Sequence, residues 1–283
     1  MVCNTLPAPH LDARPCGARR ISMLTDQALF EACGVRIAFT GREGGVSEGA
    51  FSSLNLGAHV QDDLDAVMEN RSLVVEALGA PDVPVVVPNQ VHGTNIVAID
   101  SAAACDVVAA QQCAQAGADA LVVSVPDVAA LLCFADCTPV TIVSPTGRFA
   151  VAHAGWRGVV GNIAALSAQR LAQADGAADS TQARALIAGY NIYIGPHIHA
   201  DHFEVGEEVV SQFREAFGPS CIADARHVSM LEAISVSLER IGADRSRICD
   251  AGICTQCNPE AYYSYRASGG TCGRHGAIAF RKG

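Results

Sequence analysis

Residues 120–153 read ALVVSVPDVAALLCFADCTPVTIVSPTGRFAVAH, and this stretch decides the fold. Four apolar runs, 120–125, 128–134, 140–143 and 149–153, are strand-like in length and are separated by proline or glycine turns. Strands crowded together without regular β-α alternation favour an α+β domain with mixed β-sheets packed against helices over a doubly wound fold. The flanking segments agree. Upstream, residues 35–40 read as a strand ending in the glycine-rich Gly41-Arg42-Glu43-Gly44-Gly45. Residues 63–78 carry apolar side chains at helical spacing, with acidic residues at the start and Gly79 at the end. Residues 83–87 and 95–99 are further strands. Downstream, 157–174 reads as one helix, 191–194 as a strand, 205–217 and 228–241 as helices, and 277–280 as a closing strand. Residues 1–20 contain three prolines and no periodicity, so they are expected as a flexible extension, with a single domain over 21–283. No dinucleotide-binding glycine fingerprint follows a strand, and no phosphate-binding P-loop is present.

Composition excludes several classes. Half of the 283 residues are hydrophobic and 17% are charged, which rules out a largely disordered chain. The most apolar segment, 121–134, is interrupted by Pro126 and Asp127 and is shorter than the roughly 18 residues of a membrane helix. With 19 basic against 29 acidic residues, the net charge of −10 disfavours nucleic acid and anionic lipid as partners. All the basic residues except Lys282 are arginines, so an anion held by a side chain is held by a planar guanidinium. Twelve scattered cysteines without an apolar leader point to a reduced, cytoplasmic protein.

Three positions share a local pattern: a His or Cys at the edge of an apolar run, followed within two residues by Gly or Pro. They are His92 in Asn89-Gln90-Val91-His92-Gly93, Cys137 in Ala135-Asp136-Cys137-Thr138-Pro139, and His153 in His153-Ala154-Gly155-Trp156-Arg157-Gly158. Two imidazoles and a thiolate are three good ligands for zinc, with a fourth position left for water whose pKa falls to about 7. The same residues also fit a Cys137–His nucleophilic pair without metal, or a buried core cysteine beside strand-capping histidines. Arg157, at the start of a helix after His153, suits an anion such as phosphate, or equally a surface cap or ion pair; Arg42–Ser47 before Ser53–Gly57 fits a ligand-closing loop or a simple turn. His197, His199 and His202 form a local cluster that offers a second metal position. Cys254 and Cys257 have no second C-x-x-C at zinc-ribbon spacing, so no structural zinc is expected there.

In order along the chain, Gly44-Gly45-Val46-Ser47, Ser53-Leu54-Asn55-Leu56-Gly57, Gln90-Val91-His92-Gly93, Ala118-Asp119-Ala120-Leu121, Ala135-Asp136-Cys137-Thr138-Pro139, His153-Ala154-Gly155-Trp156-Arg157-Gly158, Ile194-Gly195-Pro196, Phe203-Glu204-Val205-Gly206 and Tyr263-Ser264-Tyr265-Arg266 resemble the YfiH, or laccase-domain, family of purine nucleoside phosphorylases. The family was earlier labelled multicopper polyphenol oxidase. The resemblance runs from about residue 35 to the C-terminus. It implies zinc, with copper as the alternative, on His92, Cys137 and His153. It also implies phosphorolysis of purine nucleosides, including methylthioadenosine, to base and ribose-1-phosphate, and deamination of adenosine. Arg42, Asn55, Gln90 and Arg157 are then expected to contact nucleoside or phosphate, and Asp136, by adjacency, to orient a histidine or move a proton. A monomer or weak homodimer is expected. Two other activities attach to the resemblance: editing of peptidoglycan precursors by amide hydrolysis at the same site, and copper-dependent phenol oxidation. The latter fits poorly with a chain in which only His197 and His199 form an H-x-H pair. The chain departs from the family pattern at His197, where cysteine is expected, and at Ala267, where a second arginine is common.

Overall fold

Nearly every residue of the central apolar runs is buried on both faces of a sheet, which is why those runs read as continuous rather than alternating. In the computed structural model, which describes residues 5–283, the strands form two six-stranded mixed sheets. The first holds, edge to edge, β1 (Asp12–Cys16), β2 (Ile21–Thr25), β3 (Val35–Thr40), β12 (His275–Arg281), β7 (Ala129–Phe134) and β4 (Val85–Val86). The second holds β11 (Ile248–Asp250), β10 (Asn191–Ile194), β8 (Thr138–Val143), β9 (Phe149–Ala154), β6 (Ala120–Val123) and β5 (Ile96–Ile99). Pairing is parallel for β4 with β7, β5 with β6 and β10 with β11, and antiparallel elsewhere. The helices are α1 (Gln27–Cys33), α2 (Leu64–Ala77), α3 (Ala104–Gln115), α4 (Trp156–Val160), α5 (Ile163–Ala174), α6 (Ser180–Ile187), α7 (Glu207–Phe217) and α8 (Met230–Arg240).

The period of two assigns each strand residue to one of three cores. On β7, Ala130, Leu132 and Phe134 face the second sheet, meeting Leu121, Val123, Phe149 and Val151. The alternate residues Ala129, Leu131 and Cys133 face α2 through Leu54, Leu56, Val74 and Val75. On the far side of the second sheet, Ala120, Val122, Val140, Ile142, Ala150 and Ala152 pack under α5, α7 and α8. The layers therefore run helix, sheet, sheet, helices, the α+β architecture expected from the central runs.

Three features depart from the sequence reading. Asp12–Cys16, expected within the flexible extension, is an edge strand in register with Ile21–Thr25. An edge strand needs partners on one side only and tolerates Pro15, so it carries no apolar alternation to read. Residues 1–4 of that extension lie outside the described residues. The single helix expected over 157–174 is two, α4 and α5, broken at Gly161 and at Asn162, whose φ is 63°. A Cβ on Gly161 would come within 2.5 Å of Thr94 Cγ2, so the break lets α4 press against the loop that carries His92. Finally, α1, α3, α6 and the short strands β2 and β11 complete the sheets and layers where no element was read.

Candidate metal centre

Loops at one end of the two sheets bring the three expected ligands together. His153 is the penultimate residue of β9, held opposite Pro139 in the β8–β9 ladder. Cys137 closes the turn between β7 and β8, in which Asp136 takes a φ of 84°. His92 sits in the loop between β4 and β5 at φ 59°. One ligand atom from each lies within 4.8 Å of the other two. The two imidazoles meet edge to face with centroids 4.8 Å apart. His153 is buried, Cys137 half-buried and His92 exposed on the rim. Gly155 makes room for the group: a Cβ there would stand 2.8 Å from His92 Cδ2 and 3.5 Å from Cys137 Sγ.

A residue given no role in the sequence reading, Asp119, organises the centre. Its Oδ1 lies 2.8 Å from His153 Nδ1 and accepts from the His92 backbone N–H at 2.9 Å, while Oδ2 accepts from the Gly93 N–H at 2.7 Å. The bond to Nδ1 fixes the His153 tautomer and turns Nε2 toward the cluster, as an outer-shell carboxylate does for a ligating imidazole. Asp136, expected to orient a histidine, is spent elsewhere. Its Oδ1 accepts from Thr255 Oγ1 at 2.6 Å and its Oδ2 from the Arg266 N–H at 2.7 Å, joining two loops to the site.

Proton affinities follow from this packing. Burial alone would raise the Cys137 thiol, but the His153 charge and hydrogen bonds from His153 and His92 outweigh it and bring the pKa down to about 6. Burial likewise opposes charge on His153, yet the facing thiolate and Asp119 lift it to about 9. Without an ion, the pair is a thiolate beside an imidazolium. The donor set of two imidazoles and a thiolate fits zinc or copper, and all three line one cavity, which leaves an open position facing it.

That cavity measures about 420 Å³, within the range of roughly 300–1,000 Å³ typical of small-molecule sites. Besides the triad it is lined by, among others, His59, Gln90, Asp136, Phe203, Tyr265, Arg266 and Arg274. Of the residues expected to bind substrate, Gln90 is there, though its amide is locked on both sides to the Cys133 backbone at 2.8 Å. Asn55 is fully buried behind the wall, where its Oδ1 accepts from the Arg274 N–H at 2.8 Å. Arg42 points away, bound to the carbonyls of Ser52 and Pro259 and stacked on Tyr263. Arg157 is exposed and lies 4.2 Å over the Trp156 ring. The basic groups in the cavity are instead Arg266, Arg274 and His59. Of these, Arg266 lay in a quoted motif, whereas Arg274 and His59 carried no signal separable from any other surface base.

Residues 36–282 match the family described as multi-copper polyphenol oxidoreductase laccase. A protein of Geobacillus stearothermophilus named purine nucleoside phosphorylase YlmD is 34% identical over 261 residues, covering 88% of this chain and 91% of the relative. Adenosine deaminase RL5, from an unknown prokaryotic organism, is 31% identical over 241 residues, covering 82% and 88%. The crystal structure of YlmD from Geobacillus stearothermophilus superposes with a TM-score of 0.81 at 29% identity, covering 95% of this chain and all of that one.

Proposed function

The chain belongs to the multi-copper polyphenol oxidoreductase laccase family, and from that premise we propose that it is a zinc-dependent purine nucleoside phosphorylase that also deaminates adenosine. One observation carries the reading: a single cavity joins the His92, Cys137 and His153 donors to two arginines and an aromatic wall. Relatives named for both activities supply the substrate class.

Each part of the cavity has a task under this reading. A zinc ion on the triad supplies Lewis acidity. Asp119 keeps His153 in the ligating tautomer. Arg274 is anchored through Nη1 on the carbonyls of Cys272 and Gly273 at 2.8 and 2.9 Å, which leaves the rest of its five-donor fork for phosphate. Arg266, held on the His202 and Glu204 carbonyls, stands on the same wall. These two take the anion-holding role expected of Arg42 and Arg157. Tyr265 and Phe203 offer faces for a purine ring. Burial, then the nearby Arg274 and Arg71, lower the pKa of His59, which favours the neutral ring and suits it to accept a proton rather than to give one.

The test is a product assay. Zinc-loaded protein is incubated with adenosine, with and without phosphate, beside Cys137→Ala, and products are identified by mass. Adenine with ribose-1-phosphate when phosphate is present, inosine in either case, and neither from Cys137→Ala are expected. No purine product from the zinc-loaded protein would sink the reading.

A further inference from the structure

A second group of soft ligands lies beyond the cavity wall. Residues 195–203 and 253–257 run side by side: His197 and Cys254 form a parallel bridge, and the backbone bonds His197 N to Ile253 O and Thr255 N to His197 O measure 3.2 and 3.1 Å. This register brings an H-x-x-H pair, His199 and His202, against the C-x-x-C pair, Cys254 and Cys257. His202 Nε2 is 2.9 Å from Cys257 Sγ, and the His199 backbone N–H donates to Cys254 Sγ at 3.4 Å. The ligand atoms of His202, Cys254 and Cys257 all lie within 4.8 Å of one another, as do those of His199, Asp201 and Cys254, with Cys254 shared. Both cysteines are free thiols.

We propose that Cys254, Cys257, His202 and His199 form a second metal site, closed and of the two-cysteine, two-histidine kind that takes zinc. C-x-x-C spacing lets two thiolates meet one ion, and four N/S ligands complete a tetrahedral structural site. The missing second C-x-x-C is replaced by histidines from a distant segment, which spacing along the chain does not reveal. His199 Nε2 is buried with no hydrogen-bond partner, which is costly for a neutral ring but is satisfied by an ion. Asp201 is largely exposed, and its charge offsets the ion without closing the shell. His197 belongs to neither group of ligand atoms, and its Nδ1 is bound to the Gly195 carbonyl at 2.9 Å.

The site pins the segment that carries Ile198 and Phe203 of the cavity wall, together with the His202 carbonyl that accepts from Arg266. Thr255, between the two cysteines, bonds Asp136 beside Cys137. The second ion is therefore a structural clasp on the wall of the first site, and its existence does not depend on which reaction that site performs.

Cobalt(II) is the probe. In full-length Cys137→Ala the first site has no thiolate, so a sulfur-to-cobalt charge-transfer band arising on titration reports the second site alone. The expected result is a band saturating at about one equivalent and lost when Cys254→Ser and Cys257→Ser are added together. Absence of the band, or its survival in that triple variant, overturns the proposal. An independent measurement uses Cys257→Ser by itself: its zinc content by elemental mass spectrometry should fall to about half that of the unaltered protein. Unchanged zinc content overturns the proposal equally.

Discussion

At Cys137 and His153 the fold exchanges the proton that each side chain would hold alone. An ordinary thiol titrates at 9.0 and an ordinary imidazole at 6.5; here they titrate at about 6 and about 9. The depressed thiol contributes stability that is lost as pH falls from 9 toward 6. The raised imidazole contributes stability that is lost as pH rises from 6.5 through 9. Between those limits the folded and unfolded chains bind the same number of protons at this pair, so the two contributions cancel in slope. Stability is thus a poor reporter of the exchange, and reactivity is a good one. In protein stripped of metal, the rate of Cys137 alkylation by iodoacetamide should be half-maximal near pH 6. A midpoint near 9 would remove the ion pair. Asp119 is the companion residue. Asp119→Asn keeps the shape but loses the carboxylate on His153 Nδ1, and should weaken zinc binding at the triad by about 10–100-fold in a competitive chelator titration. Asp136→Asn should weaken it far less, because that carboxylate reaches Thr255 and Arg266 rather than a ligand. Adjacency in the chain pointed to Asp136. Asp119 lies 34 residues before His153 and meets it only through the β6–β9 pairing, where the His153 N–H bonds the Asp119 carbonyl at 2.7 Å.

Element by element, what was legible is what is written locally. The runs around β3, β6, β7, β8 and β9 bury continuous apolar side chains, and their turns carry Pro or Gly, so their ends fell within two or three residues of the reading. The triad was legible for the same reason, since two of its ligands stand at the margins of those strands. Not legible were elements that take their stability from another segment, such as the exposed edge strand β1, or α3, which buries only Val107 and Ala114. The Gly44–Ser47 and Ser53–Gly57 motifs are a case between. They read equally as a ligand-closing loop or as a simple turn, and the structure shows what shapes them. Asn70, fully buried on α2, accepts from the Val46 N–H at 2.8 Å and donates to Ser47 Oγ, Ser53 O and Asn55 O. A Cβ on Gly45 would come within 2.4 Å of the Asn70 carbonyl oxygen, so the backbone and the amide fit against one another. Asn70→Ala strands several buried partners at once and should cost about 2–4 kcal/mol in urea unfolding, with metal content unchanged. A loss under 0.5 kcal/mol would show that water replaces the amide and that the loop holds its own shape.

Across the whole molecule, the strands make the three cores inseparable. β7 supplies one face to the inter-sheet core and the other to the layer under α2, while β6, β8 and β9 divide their faces between the inter-sheet core and the α5, α7 and α8 layer. Strand β12 lies between β3 and β7 in the first sheet, so residues 275–281 fill its middle. Nothing near residues 275–281 in the chain announces those partners, which are separated from them by about 240 and 140 residues of sequence. Neither sheet can then lose its packing while the other keeps it, and metal-free protein should unfold in one transition. Trp156, the sole tryptophan, stands on the helical side of the second sheet, whereas far-ultraviolet circular dichroism reports both sheets. The two signals should give coincident midpoints in urea, and the amides of β12 should exchange with solvent only through global unfolding, later than those of β1. If tryptophan fluorescence changed at a lower urea concentration than ellipticity, the helix-covered sheet would be a separable unit. The shared faces of β7 and β9 would then contribute less to cohesion than their complete burial implies.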